Sequence, residues 1–416
     1  MANILLLTLV FPPDSVSTAI LLGDLAQDLR DLGHEITVFT TTPHYNIDSD
    51  SVRSQSLRQH WGRQLLRSEF SGIPVYHASI PKKGKRIGAR VLDYLRFHVV
   101  GTLAGLVLCR RYDLVLAPSP PLTVGVSAWV LSRVRRMPFI YNVQEIYPDV
   151  AVSLGVLRNS KIIRVMLWLE RFIYARARIV VVISEWFRRR LLKKGVPPGK
   201  LRVISNFVDT DLIQPGKRLN DFAKAHDLED KFTVLYAGNI GLTQNFENVL
   251  SASRRLSHIH DLVFLIVGDG ARRSWLEREV RKGEYPNVKI LPYQPKSAVP
   301  MVYASSDVCL VPLKGATAQE TFPSKIYTIM AAGRAAITAA DLDSELTWVT
   351  KESGCGWAVP PDDDSALAMA IERAYHHREE LLEMGQSGRR YVVEHHSRRV
   401  IAKQYDELIR EVVSAR

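Results

Sequence analysis

A carboxylate, a hydroxyl and an ammonium fall close together in Glu320-Thr-Phe-Pro-Ser-Lys-Ile-Tyr-Thr-Ile-Met-Ala-Ala-Gly333, a stretch held between two apolar runs, Val308-Cys-Leu-Val-Pro312 and Ala335-Ala-Ile-Thr-Ala339. The spacing predicts strand, loop, helix and strand, with a crossover long enough for parallel pairing. Ser324 stands where an N-cap belongs and Gly333 where the helix stops. The first helical N–H groups and Lys325 would then face whatever lies beyond the strand end, and a phosphate suits such a place. The same residues also read as an ordinary capped helix with Lys325 in solvent.

Four more groups of residues fall at strand ends. Phe232 to Gly238 runs into Asn239-Ile-Gly241 and Gln244, and Leu262 to Val267 runs into Gly268-Asp269-Gly270. Glycines there let backbone amides come close to a ligand. One such turn says little; several at successive strand ends of one sheet, with Glu320 to Gly333, say more. Asp14, Ser15, Ser17, Thr18, His44 and Tyr45 sit at the first strand ends, where each also fits ordinary turn and cap chemistry. Gln144-Glu-Ile-Tyr-Pro-Asp149 offers two carboxylates, Glu145 for acid/base work and Asp149, whose spacing also suits a helix cap.

Positioning these residues takes an alternating chain. Strands are expected at 3–10, 34–42, 112–117, 138–143, 179–184 and 201–205, with helices at 19–32, 92–108, 123–134, 162–177 and 185–194. The pattern restarts at Phe232, passes through strands near 262, 288, 308 and 335, and ends after Gly354 to Pro360 in helices from Asp364. Alternation of this kind makes doubly wound sheets, whose ligands lie beyond the carboxyl ends of the strands. The expected α/β architecture is therefore two Rossmann-like doubly wound domains facing a cleft. Residues 1–205 form the first, 206–395 the second, and a helix over 396–416 returns to the first. Residues 46–90 read as a polar loop with one edge hairpin.

A chain of 416 residues exceeds what one core usually serves, and with 46% hydrophobic and 24% charged residues it is ordinary globular material. Cys109, Cys309 and Cys355 lie far apart in apolar settings, which argues for buried thiols in a reducing compartment and against a metal site. The apolar N-terminal run lacks the preceding basic residues of a signal peptide. The net charge of +12 is unevenly spread: residues 1–200 hold 28 Lys and Arg against 14 Asp and Glu, leaving 27 against 29 for the rest. That asymmetry suggests a polyanionic neighbour. Lys82, Lys83, Lys85 and Arg86 precede an apolar helical stretch that is too short to span a bilayer and reads as a core helix or a membrane-surface helix.

Gly238-Asn-Ile-Gly241, Val267-Gly-Asp-Gly270 and Glu320 to Gly333, set in two similar halves, resemble a retaining family 4 glycosyltransferase of the GT-B fold, over nearly the whole chain. Glu320 occupies the place of the first glutamate of that family's donor motif, and Thr328 replaces the second. The family also commonly sets Arg and Lys after the first strand of the C-terminal domain, where this chain has Asn239 and Gln244. With Phe11-Pro-Pro-Asp-Ser-Val-Ser-Thr18, Ser119-Pro-Pro121 and Pro323-Ser-Lys325, the variant looks like the branch serving colanic-acid, capsule and O-antigen assembly, which includes fucosyl- and N-acetylfucosaminyl-type transferases.

The resemblance implies a nucleoside-diphosphate sugar as donor and, in surface polysaccharide synthesis, a lipid-linked saccharide as acceptor. It implies no cofactor and no required metal, and a place on the inner face of the cell membrane. Glu320, Lys325 and Glu145 would be catalytic. Gly238, Asn239, Gly241, Gln244, Gly268, Asp269, Phe322, Pro323, Ser324 and Thr328 would line the donor site. Ser15, Ser17, Thr18, His44 and Tyr45 would face the acceptor, and Lys82, Lys83, Lys85 and Arg86 an anionic membrane. A nucleotide-sugar 2-epimerase of the same fold would need the same diphosphate grip. A nucleic-acid-binding protein would explain only the charge, since no recognised motif for it is present.

Overall fold

The protein's structure is a computed structural model. It describes residues 1–14, 16–44, 55–80, 87–107, 112–153, 155–315 and 322–415, with the backbone alone for 87–92. The chain divides into two compact units. Met1–Pro148, Arg158–Asn206 and Arg398–Arg416 form the first, and Asp149–Leu157 with Phe207–Ser397 the second.

The first unit holds β1 (Asn3–Leu7), β2 (Glu35–Thr41), β3 (Arg58–Trp61), β4 (Leu65–Phe70), β5 (Ile73–Ala78), β6 (Leu114–Pro118), β7 (Phe139–Val143), β8 (Ile179–Val182) and β9 (Leu201–Val203). They lie in the order β3-β4-β5-β2-β1-β6-β7-β8-β9. From β5 to β9 every pairing is parallel, and the central strands β1, β6, β7 and β8 are buried on both faces, as their largely apolar runs require. Residues 58–78 form three strands where one hairpin was expected. Ile73 and Val75 turn into the core and let β5 join the parallel sheet, with β4 antiparallel to it. The helix expected from Leu92 starts at Ile87, because Gly88 interrupts the apolar period that marks a helix in sequence.

The C-terminal helix Arg398–Ser414 is part of this unit and packs on Ser17–Asp31. Arg398 reaches Asp28 at 2.7 Å and Asp24 at 3.3 Å, and His34 Nε2 meets Asp406 at 2.7 Å. Within the core, Asn142 Nδ2 donates to the Tyr405 hydroxyl at 2.7 Å.

The second unit is a parallel sheet of β10 (Phe232–Ala237), β11 (Leu262–Val267), β12 (Val288–Leu291), β13 (Val308–Pro312), β14 (Ala335–Ala339) and β15 (Gly356–Val359), in the order β12-β11-β10-β13-β14-β15. This order reverses between β10 and β13, and the reversal opens a crevice at the carboxyl ends of those two strands. Among the described residues no helix is long and apolar enough to cross a membrane.

Candidate active site

The crevice residues of the second unit follow β10, β11 and β13. After β10 the chain turns at Gly238, whose φ of +137° is reached at little cost by glycine alone. Gly238 N donates to Val267 O at 2.9 Å and Ile240 N to Asp269 O at 2.7 Å, which ties the two glycine turns together. A Cβ on Gly268 would collide with the Gly238 carbonyl oxygen, so the approach of the turns depends on that glycine. Gln244 Oε1 accepts from Gly241 N at 2.9 Å, and Gln244 Nε2 donates to Thr243 Oγ1 at 2.8 Å. Gln244, expected at the donor, is thus buried and braces its own turn, while Asn239 and Asp269 are exposed.

Lys325 opens the helix Lys325–Ala331 that links β13 to β14. Its ammonium nitrogen is buried, lies 3.7 Å from the centre of the Tyr236 ring, and has no hydrogen-bond partner among the described residues. A Cβ on Gly238 would stand 3.1 Å from that nitrogen, so glycine is what lets the cation come beside the turn. Burial lowers the Lys325 pKa from 10.5 to about 7. A desolvated cation on an aromatic face is held by the ring's quadrupole, by about 2 kcal/mol. Tyr236 fixes its own position by donating its hydroxyl to Asn239 O at 2.5 Å. Sequence reasoning missed Tyr236; its signal was an aromatic two residues before the glycine turn.

The alternative reading of a capped helix with Lys325 in solvent is not met, and neither is a side-chain cap from Ser324. Ser324 holds the N-cap position in helical conformation and makes no cap hydrogen bond, because Ile326 N and Tyr327 N turn to the Pro323 and Ser324 carbonyls. Phe322 packs on Tyr327 with ring centres 5.4 Å apart and joins the core, and Thr328 is half-buried on the helix. Glu320 lies outside the described residues.

In the first unit, Asp14 is buried and accepts from His44 N at 2.8 Å, with His44 Nδ1 3.8 Å from its other oxygen. His44 Nδ1 also lies 3.0 Å from Thr41 Oγ1. Asp14, His44 and Thr41 are thereby brought together beyond β1 and β2. Ser17 and Thr18 fall in the first turn of the helix Ser17–Asp31, two residues ahead of its expected start. Glu145 follows β7, and burial raises its carboxyl pKa, offset in part by a hydrogen bond with Tyr147. Asp149 opens the helix Asp149–Ser153 and belongs to the second unit. Ser15, Tyr45, Lys82, Lys83, Lys85 and Arg86 lie outside the described residues. Among the described residues no group of three His, Cys, Asp or Glu is placed to hold a metal ion.

Comparison with known proteins agrees with this layout. Residues 19–206 match the model of a glycosyl transferase 4-like domain, and residues 217–391 that of glycosyl transferases group 1. WcaI of Escherichia coli (strain K12), named as a colanic acid biosynthesis glycosyl transferase, is 25% identical over 89% of this chain and 92% of its own. WbjE of Pseudomonas aeruginosa, also named a glycosyltransferase, is 28% identical over 63% of this chain and 66% of its own. Among solved structures, sucrose-phosphate synthase of Thermosynechococcus elongatus superposes with a TM-score of 0.74 at 19% identity, covering 100% of both chains. Anabaena HepE, solved with UDP and glucose, gives 0.73 at 16% identity, covering 98% of this chain and 99% of its own. Two family models that meet near the join of the two units, and a fold shared from end to end, make one conclusion: the chain belongs to the GT-B glycosyltransferases.

Proposed function

We propose that the chain is a retaining glycosyltransferase that moves a sugar from a nucleoside-diphosphate sugar to a lipid-linked saccharide, in the assembly of a bacterial surface polysaccharide at an anionic membrane. The observation that carries this reading is the Lys325 ammonium, buried on Tyr236 beside Gly238 with no hydrogen-bond partner among the described residues. A cation taken out of water without an acidic partner is matched by an anion that arrives, and a diphosphate supplies it. HepE, of the same fold, was solved with UDP-glucose, and WcaI carries a name from colanic acid biosynthesis.

In the reaction the bond from the anomeric carbon to the diphosphate breaks, and negative charge grows on the leaving oxygen. Lys325 and the amides of the glycine turns stabilise that charge by dipoles set in advance, which is usually the largest catalytic term. The acceptor hydroxyl attacks the face that the diphosphate leaves, and its proton passes to a phosphate oxygen, so no protein nucleophile is needed. Glu320 holds sugar hydroxyls, and Glu145, whose carboxyl pKa is raised by burial, orients the acceptor.

A thermal-shift screen with UDP-, GDP-, ADP- and TDP-sugars tests the donor. One of them at 100 times its Kd should stabilise the protein by about 2.7 kcal/mol. Sugar appearing on a lipid-diphosphate saccharide with its anomeric configuration kept completes the reading. Donor epimerised without acceptor, or no stabilisation by any of the four, contradicts it.

A further inference from the structure

The helix Ile87–Val107 uses one face for the core, and among the described residues nothing packs on the other. Phe97 and Ala104 are fully buried, and His98 is held between Ser127 Oγ at 3.0 Å and Thr123 Oγ1 at 2.7 Å. The opposite face carries Leu95, Val99, Leu103 and Val107, each at least half exposed and spaced four apart. They are the only exposed side chains described on that helix, and none is polar. Single exposed leucines are common in soluble proteins, but four apolar side chains in a row along one helix face are not.

The surface continues over two neighbouring helices of the same unit. Arg135, at the end of the helix Val124–Arg135, donates to the Leu106 carbonyl and ties the two helix ends together, and Val134 beside it in the chain is exposed. Trp129 of that helix meets Phe172 edge-on at 4.9 Å, and Phe172 supports exposed Trp168 by stacking at 5.6 Å. Cations edge this surface. A recess of about 460 Å³ at the amino ends of β7 to β9 is lined by Arg176, Arg178, Lys200 and Arg202, the last paired with Glu411 at 2.9 Å, so three of the four cations stand without that carboxylate. The Lys200 pKa is lowered by burial and then by Arg178 and Arg176, so these charges converge at a cost to one another. Arg176 also lines a second recess, with Trp129, Arg133 and Arg136.

We infer that this three-helix face of the first unit is a membrane-docking surface: Leu95, Val99, Leu103, Val107 and Trp168 enter the interface of an anionic bilayer while Arg176, Arg178 and their neighbours take lipid phosphates. An apolar stripe edged by one sign of charge is the pattern of an interfacial helix. A second copy of the chain fits less well, since a twofold contact would bring the same cations face to face. The inference rests on the lipid-linked acceptor of the proposed function and names the surface that would bring the enzyme to it.

Co-sedimentation with phosphatidylcholine vesicles, with and without phosphatidylglycerol, tests it. The protein should bind the anionic vesicles and leave the neutral ones. Val99→Ser with Leu103→Ser should lower the partition coefficient about tenfold or more, and so should Arg176→Gln with Arg178→Gln. Trp168→Ser, on a different helix, should also weaken binding. All of these side chains are exposed, so each variant should keep the thermal shift given by the nucleotide sugar. Undiminished binding by the Ser pair overturns the inference, as does a wild-type dimer that the Ser pair dissociates in light scattering. A protein that docks on vesicles but binds no nucleotide sugar would refute the transferase reading and leave this one standing.

Discussion

Lys325 is held in a state that favours a ligand over stability. Its folded pKa of about 7 lies below its unfolded value of 10.5, so between those pH values the unfolded chain binds more protons and stability rises with pH. Lys325→Met should remove that slope and raise stability at pH 7 by about 1–3 kcal/mol, read by chemical denaturation at several pH values. A Met variant less stable than the wild type at pH 7 would show that the ammonium is a structural tie. At this scale the sequence was legible in part. The glycines and Lys325 could be picked out, since backbone reach and charge are written in residue type. The burial of Lys325 on Tyr236 could not, because which face a residue near a helix start presents depends on a strand far off in the chain. Nor did the sequence show that Gln244 serves its own turn, a contact that arises only once Gly241 and Gln244 are folded together.

Elements were more legible than their ends. The strands β10, β11, β13 and β14 fall within a residue or so of expectation, because a strand buried on both faces is an unbroken apolar run with glycine or proline at its limits. The region 58–78 was not read correctly, since β3 and β4 are polar and exposed on much of their length and make no such run. What ties one element to the next is often a buried polar pair that pattern alone does not reveal. Glu170, fully buried on the helix Ser160–Arg176, accepts from Lys194 Nζ at 2.8 Å on both oxygens and from the Tyr174 hydroxyl at 3.1 Å. Removing one partner leaves a charge buried with less than it needs. Lys194→Ala should therefore destabilise the first unit by about 3 kcal/mol, measured by denaturant unfolding, while Glu170→Gln with Lys194→Met should lose less. Equal losses in the single and double variants would mean that packing around the pair matters more than its charge.

For the whole molecule, the two-sheet architecture was legible because alternating strands and helices make doubly wound parallel sheets, while the strand order that sets the crevice between β10 and β13 came only with the fold. The uneven charge was visible too, but its arrangement around an apolar helical face needed the fold, since Val107, Val134 and Trp168 come from three separate helices. Donor binding engages the protein's proton balance as a whole. A diphosphate beside Lys325 would raise its pKa from about 7, so binding above that pH must take up a proton. Isothermal titration of the nucleoside diphosphate of the donor, at pH values from 6.5 to about 9 and in buffers of different ionisation enthalpy, measures this directly. The account predicts proton uptake above pH 7, affinity falling by up to about tenfold per pH unit there, and both effects abolished in Lys325→Met together with an affinity loss of at least about tenfold. Wild-type affinity and an unchanged pH profile in that variant would contradict it.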